Sequence, residues 1–103
     1  MSVIAIDDSG FAAELKDKKV IVKYYADWCG SCKLFSPKFR RLSEDERFKD
    51  IIFLDVNAEK SPEARKMAKV DNLPFFAVFK NGELIDGKST SLEAVVIEML
   101  EKL

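Results

Sequence analysis

Histidine is absent from this chain, and cysteine occurs only twice. Zinc takes four ligands, usually cysteine and histidine. A zinc site here would therefore need ligands from two copies of the chain. Two cysteines are also too few for the disulfide scaffold of a small secreted domain. No apolar run approaches the roughly 20 residues that span a bilayer. The segment from Met1 to Asp8 has no basic stretch followed by a long apolar one, so no secretory signal is expected. Neither sign of charge dominates: 17 Lys and Arg are scattered among 18 Asp and Glu, for a net charge of -1. Nucleic acid and anionic membrane are thus poor candidates for the main partner. There is no repeat, no low-complexity tract and no linker.

What remains is a chain of 103 residues, 48% apolar, enough for one domain with its own core over residues 1–103. Its distinctive stretch is Ala26-Asp27-Trp28-Cys29-Gly30-Ser31-Cys32-Lys33, which holds both cysteines and the only tryptophan. Before it, Val20 to Tyr25 is rich in β-branched and aromatic residues and reads as a buried strand. After it, Lys33 to about Phe48 reads as a helix. The cysteines therefore sit where a strand gives way to a helix, where free N–H groups and the helix dipole favour negative charge. A thiolate is such a charge, so Cys29 is expected to titrate below a free cysteine. In an apparently cytosolic chain the spacing points to reversible redox chemistry. A structural disulfide, a zinc site shared between two copies and inert thiols are the alternatives. Trp28 beside Asp27 and Gly30 suits a surface position; a core tryptophan is the alternative.

The remaining elements follow from periodicity and turn chemistry. Val3 to Ile6 suits a short strand. Ser9 is placed to cap a helix from Gly10 to about Asp17, with Phe11, Ala12 and Leu15 on its apolar side. Leu34, Phe35, Phe39 and Leu42 fall at the spacing of one buried helix face. Pro37 lies inside that helix, where it should remove a backbone hydrogen bond and kink the axis. Ile51 to Val56 is the next strand, and Pro62 to Lys69 a helix preceded by Ser61. Leu73-Pro74-Phe75 leads into a strand over residues 76–79. Asn81-Gly82 turns it into an antiparallel partner from Glu83 to about Asp86, with Gly82 at positive φ. Thr90-Ser91-Leu92-Glu93 has the capping-box pattern for a last helix through Leu103. The order β-α-β-α-β-α-β-β-α implies an α/β fold, a central mixed β-sheet flanked by helices on both faces.

Trp28-Cys29-Gly30-Ser31-Cys32-Lys33 resembles the active site of the thioredoxin family, and the element order is that of the thioredoxin fold. Pro37, eight residues after the first cysteine, also matches. The resemblance covers essentially the whole chain. It implies a protein-disulfide reductase working by thiol–disulfide exchange, without a bound cofactor. Cys29 would be the nucleophile and the more exposed cysteine; Cys32, one turn further on, would resolve the mixed disulfide. Pro74 would be the cis-proline beside the disulfide, and Leu73 would offer its backbone to an extended client. Trp28, Gly30, Ser31 and Phe75 would complete the client-facing surface. Partners would be disulfide-containing proteins and an NADPH-dependent thioredoxin reductase, with the chain a cytoplasmic monomer. A pathway-specific thiol oxidoreductase or isomerase, or a binding module on the same fold, are the alternatives.

The chain departs from the family at several positions. Ser31 stands where most members carry proline. Serine loosens the turn and brings a hydroxyl near sulfur, which predicts a more oxidising poise than a proline-containing thioredoxin. Phe75 replaces the usual threonine, and could add to an exposed patch or turn inward. The loop Lys88-Ser89-Thr90-Ser91 lacks the family's glycine. Most consequential, Lys23 occupies the place of a buried aspartate and Asp55 that of its lysine partner. The two charges have exchanged places, so Lys23 and Asp55 are expected either to pair with reversed polarity or to reach solvent separately. If paired, Asp55 becomes the candidate base for the second cysteine.

Overall fold

Strand β2 (Lys19–Tyr25) runs through the middle of a five-stranded sheet ordered β1-β3-β2-β4-β5. The computed structural model describes residues 3–103; Met1 and Ser2 lie outside it. β1 (Val3–Ala5) and β3 (Ile51–Asn57) run parallel to β2, while β4 (Phe75–Lys80) and β5 (Glu83–Ser89) complete the sheet antiparallel. Between them lie α1 (Asp8–Leu15), α2 (Gly30–Ser43), a 3-10 turn (Glu46–Phe48) and α3 (Pro62–Ala68), and α4 (Glu93–Leu100) closes the chain. The element order is the expected one.

Alternation along β2 divides the molecule into two layers. Val20, Val22 and Tyr24 join Phe11, Leu15, Ala64 and Ala68 in a core beneath α1 and α3. Ile21 joins Phe35, Phe39, Leu42, Val96 and Met99 beneath α2 and α4. Tyr24 is fully buried, and its Oη donates to the Ala64 carbonyl at 2.8 Å, so its one polar atom is satisfied. The hairpin forms as its sequence dictates. Asn81 and Gly82 take φ of 53° and 83°, the left-handed region a two-residue turn requires. β5 extends to Ser89, past the expected end, and an irregularity between Val78 and Phe79 shifts its register against β4.

Several local readings need correction. α1 is capped by Asp7, whose Oδ1 accepts from Ser9 N–H and Oγ–H, so Ser9 lies within the helix. Ala12 faces solvent. Leu34 is 78% exposed and is not on the buried face of α2. Phe35, Phe39 and Leu42 already define that face, and Leu34 falls a quarter-turn outside it. Ser61 does precede Pro62 at the first position of α3, as expected; the side-chain cap comes instead from Asp8 of α1 across the layer, accepting from Glu63 N–H at 3.0 Å and Ala64 N–H at 2.8 Å. The capping box before α4 does not close. Leu92 is the N-cap residue, and Thr90 Oγ1 accepts from Leu92 N–H instead. No helix among the described residues is long and apolar enough to cross a membrane.

Candidate active site

Cys29 is the N-cap of α2, and Gly30 is its first helical residue. β2 ends at Tyr25, and Ala26 to Trp28 form a turn closed by Cys29 N–H donating to the Ala26 carbonyl at 3.1 Å. This turn delivers the first cysteine to the mouth of a 14-residue helix. Its Sγ accepts from Cys32 N–H at 3.2 Å, and the Ser31 hydroxyl lies 3.6 Å away. The sulfur thus takes the place an N-cap oxygen normally holds. These donors and the positive end of the dipole stabilise a thiolate there.

The two sulfurs are joined in a disulfide, with Cα atoms 5.3 Å apart. Cys29 is 4% exposed and Cys32 2%. Cys29 is the more exposed of the two, as expected, and both are buried in this oxidised state. The Cys32 amide holds the Cys29 sulfur over the first helical turn. Around the sulfurs, Gly30 and Ser31 are exposed, and space beside Gly30 is open. Trp28 is 69% exposed, so it belongs to the surface. Its indole N–H donates to Glu59 Oε2 at 2.7 Å, which fixes the ring's attitude beside Cys29.

β4 begins beside the end of β2, with Phe75 opposite Tyr24, so the segment before it reaches the same edge of the sheet. The Leu73–Pro74 peptide is cis. The Pro74 carbonyl accepts from Thr90 N–H and Ser89 Oγ–H, both at 3.2 Å, which ties this corner to the end of β5. Two expectations for this corner are corrected. Leu73 does not leave its N–H open to a client: Asn72 Oδ1 accepts it at 2.9 Å, so an added strand must displace that side chain. Phe75 is 5% exposed and lies in the core, edge-on to Tyr24, so it is not part of the client-facing surface. A Cβ on Gly87 would fall 3.0 Å from the Phe75 ring. Glycine at 87 makes room for a side chain this large.

Lys23 and Asp55 lie opposite each other on β2 and β3, and Lys23 Nζ stands 3.4 Å from Asp55 Oδ1. The exchanged charges are brought together. Lys23 is 2% exposed, with its ammonium over the rings of Phe39 at 5.5 Å and Tyr25 at 5.9 Å. Its shortest bond, 2.6 Å, goes to Ser36 Oγ on α2. Burial pushes the Lys23 ammonium below its ordinary pKa against the pull of Asp55. Burial likewise pushes the Asp55 carboxyl above the carboxylate range against the pull of Lys23. A cavity of about 120 Å³ joins this pair to the disulfide; Lys23, Ser36, Asp55 and Cys32 all line it. It has room for a few water molecules.

Reading the sequence for this site misses Ser36, Glu59 and Asn72. Ser36 carried a signal, standing four residues after Cys32 and hence on the same helical face. Glu59 and Asn72 reach their partners through loops, for which periodicity has no signature. Among the described residues, no group of three or more His, Cys, Asp or Glu is placed to hold a metal ion.

The family model for thioredoxin matches residues 2–102. A thioredoxin from Coprinus comatus is 33% identical over 87 residues, covering 81% of this chain and 82% of its own. The crystal structure of Schistosoma mansoni thioredoxin superposes with a TM-score of 0.88 at 32% identity, over 99% of this chain and 95% of that one. A thioredoxin f2 solved in complex with ferredoxin:thioredoxin reductase shares the fold, with a TM-score of 0.85 at 23% identity over 98% and 94% of the two chains.

Proposed function

The chain belongs to the thioredoxin family and is a thiol–disulfide oxidoreductase acting on protein disulfides, and from that premise we propose how its own residues divide the reaction. The observation that carries the proposal is the placement of Cys29 as the N-cap of α2, its sulfur held by the Cys32 amide. In the dithiol form Cys29 is the thiolate. It attacks one sulfur of a client disulfide, the client bond breaks, and the other client sulfur leaves and takes up a proton. Cys32 then gives its proton to Asp55 through water in the shared cavity. The Cys32 sulfur attacks Cys29, the mixed disulfide breaks, and the second client sulfur leaves and is protonated. Two electrons pass to the client, one proton comes from Cys32 by way of Asp55 and the other from water, and Cys29–Cys32 becomes the disulfide.

Trp28, Gly30 and Ser31 form the face the client meets, with Leu73 and Pro74 at its edge. Electrons return from a thioredoxin reductase, in our reading an NADPH-dependent one. We assign the chain to the cytoplasm as a monomer serving electron transport and cell redox homeostasis. A reducing compartment suits a dithiol that must be regenerated. A dedicated oxidoreductase or isomerase and a pure binding module are not favoured.

Trapping tests the division of roles. Cys32→Ser protein mixed with insulin should accumulate a covalent adduct through Cys29, visible by mass spectrometry; absence of any adduct would remove Cys29 as nucleophile.

The role of Asp55 is read from pH. Burial holds its carboxyl above the ordinary carboxylate range, which makes it a stronger proton acceptor than an exposed carboxylate. Client release by the parent should therefore slow as pH falls through that raised range. Asp55→Asn should lower the rate and lose this limb of the profile. An unchanged profile would rule Asp55 out as the base.

A further inference from the structure

Resting on the dithiol reading above, we infer that Ser36 is a positioning residue that couples the buried Lys23 charge to the redox-active turn of α2. Ser36 Oγ accepts from Lys23 Nζ at 2.6 Å and donates to the Cys32 carbonyl at 3.3 Å. Two hydrogen bonds therefore link a cation on the central strand to the backbone of the second cysteine. The bond to Ser36 is shorter than the ion pair, 2.6 Å against 3.4 Å. Ser36 thus decides where the ammonium sits within the room left by Asp55, Phe39 and Tyr25. It holds the charge on the α2 side of the cavity, with Cys32 on the wall.

The consequence is electrostatic. The first turn of α2 already presents the positive end of its dipole to the sulfurs. A cation fixed beneath the same turn adds to that field in a partly buried setting, where screening is weaker than in bulk water. The dithiol form, which carries the thiolate, gains more from this than the neutral disulfide. Ser36 therefore raises the oxidising poise of the pair and lowers the pH at which the thiol ionises. It touches no client and exchanges no electrons.

The test is the redox equilibrium with glutathione, read for parent, Ser36→Ala and Ser36→Thr. Ser36→Ala should shift the equilibrium toward the disulfide by roughly threefold to tenfold, the range of a charge–dipole effect in a partly buried setting. Ser36→Thr keeps the hydroxyl and should stay with the parent. In a Lys23→Met background, Ser36→Ala should have little further effect, because the two act as one unit. The pH dependence of iodoacetamide alkylation of the reduced protein supplies a second readout that needs no Lys23 variant. Its midpoint should rise in Ser36→Ala and return in Ser36→Thr. Equal shifts for alanine and threonine, the same shift without Lys23, or an unmoved alkylation midpoint would each overturn the inference. A parent that does not exchange with glutathione at all would instead overturn the dithiol reading on which it rests.

Discussion

Cys29→Ser should abolish insulin reduction, by at least about 10³-fold, with no loss of fold. Removing a covalent nucleophile leaves only the binding contribution to catalysis. Cys32 does not take over, because it lies inside the first turn of α2 and lacks the N-cap position that stabilises a thiolate. Serine is a good N-cap residue and can accept the same Cys32 amide, so α2 keeps its start. Closing so short a loop stabilises the fold little, so losing the disulfide should change the denaturation midpoint only slightly. The measurement is the rate of insulin reduction under dithiothreitol, beside a denaturation curve of the same sample. Retained activity in a folded Cys29→Ser protein would remove the cysteine pair as the reacting group. Retained client binding with lost activity would show that the surface around Trp28 recognises clients independently of the chemistry.

The second large effect concerns stability. Asp55→Ala should cost about 3 kcal/mol in urea or guanidinium unfolding, because it leaves the buried Lys23 ammonium without its counter-charge. The double variant Lys23→Met/Asp55→Leu should recover most of that loss or exceed the parent. Holding the Lys23 ammonium away from water carries a desolvation cost, and replacing a buried ion pair by packed apolar side chains is often neutral or stabilising. An apolar pair in that place, flanked by Phe39 and Phe76, avoids the cost. The sign with pH follows from linkage. Asp55 binds its proton more tightly folded than unfolded. Its contribution favours the fold below the ordinary carboxylate range, and that contribution fades as pH rises through the raised value. Asp55→Asn should remove this segment of the stability curve. A double variant less stable than Asp55→Ala alone would show the pair to be net stabilising.

Much of the site was legible because it rests on strong local rules. The strand to Tyr25, the cysteine spacing and Asn81-Gly82 each have a short-range signature, and each lies where the sequence places it. The exchange of charge between positions 23 and 55 was also legible, since a lysine inside an apolar strand demands a partner. What the sequence did not disclose is settled by side-chain choice between distant segments. Whether Phe75 turns outward or inward depends on Gly87, a dozen residues on and across a strand pair. Whether Ser9 or Asp7 begins α1 turns on a competition between two good caps two residues apart, which only the backbone path decides. Asp8, Ser36, Glu59 and Asn72 are ordinary polar residues in sequence. Asp8 and Glu59 find their partners in other elements or loops, beyond the reach of periodicity; the bond of Ser36 to Lys23 crosses to strand β2, and Asn72 binds the amide of its own neighbour.

The carboxylate of Asp8 has one more consequence. Seven residues are too few for α3 to persist alone in water, and it borrows its opening from a neighbour. The second half of the fold is thereby stitched to the start of α1: the amides of Glu63 and Ala64 will exchange deuterium on the timetable of α1, and loosening that helix will be felt at the middle of the chain.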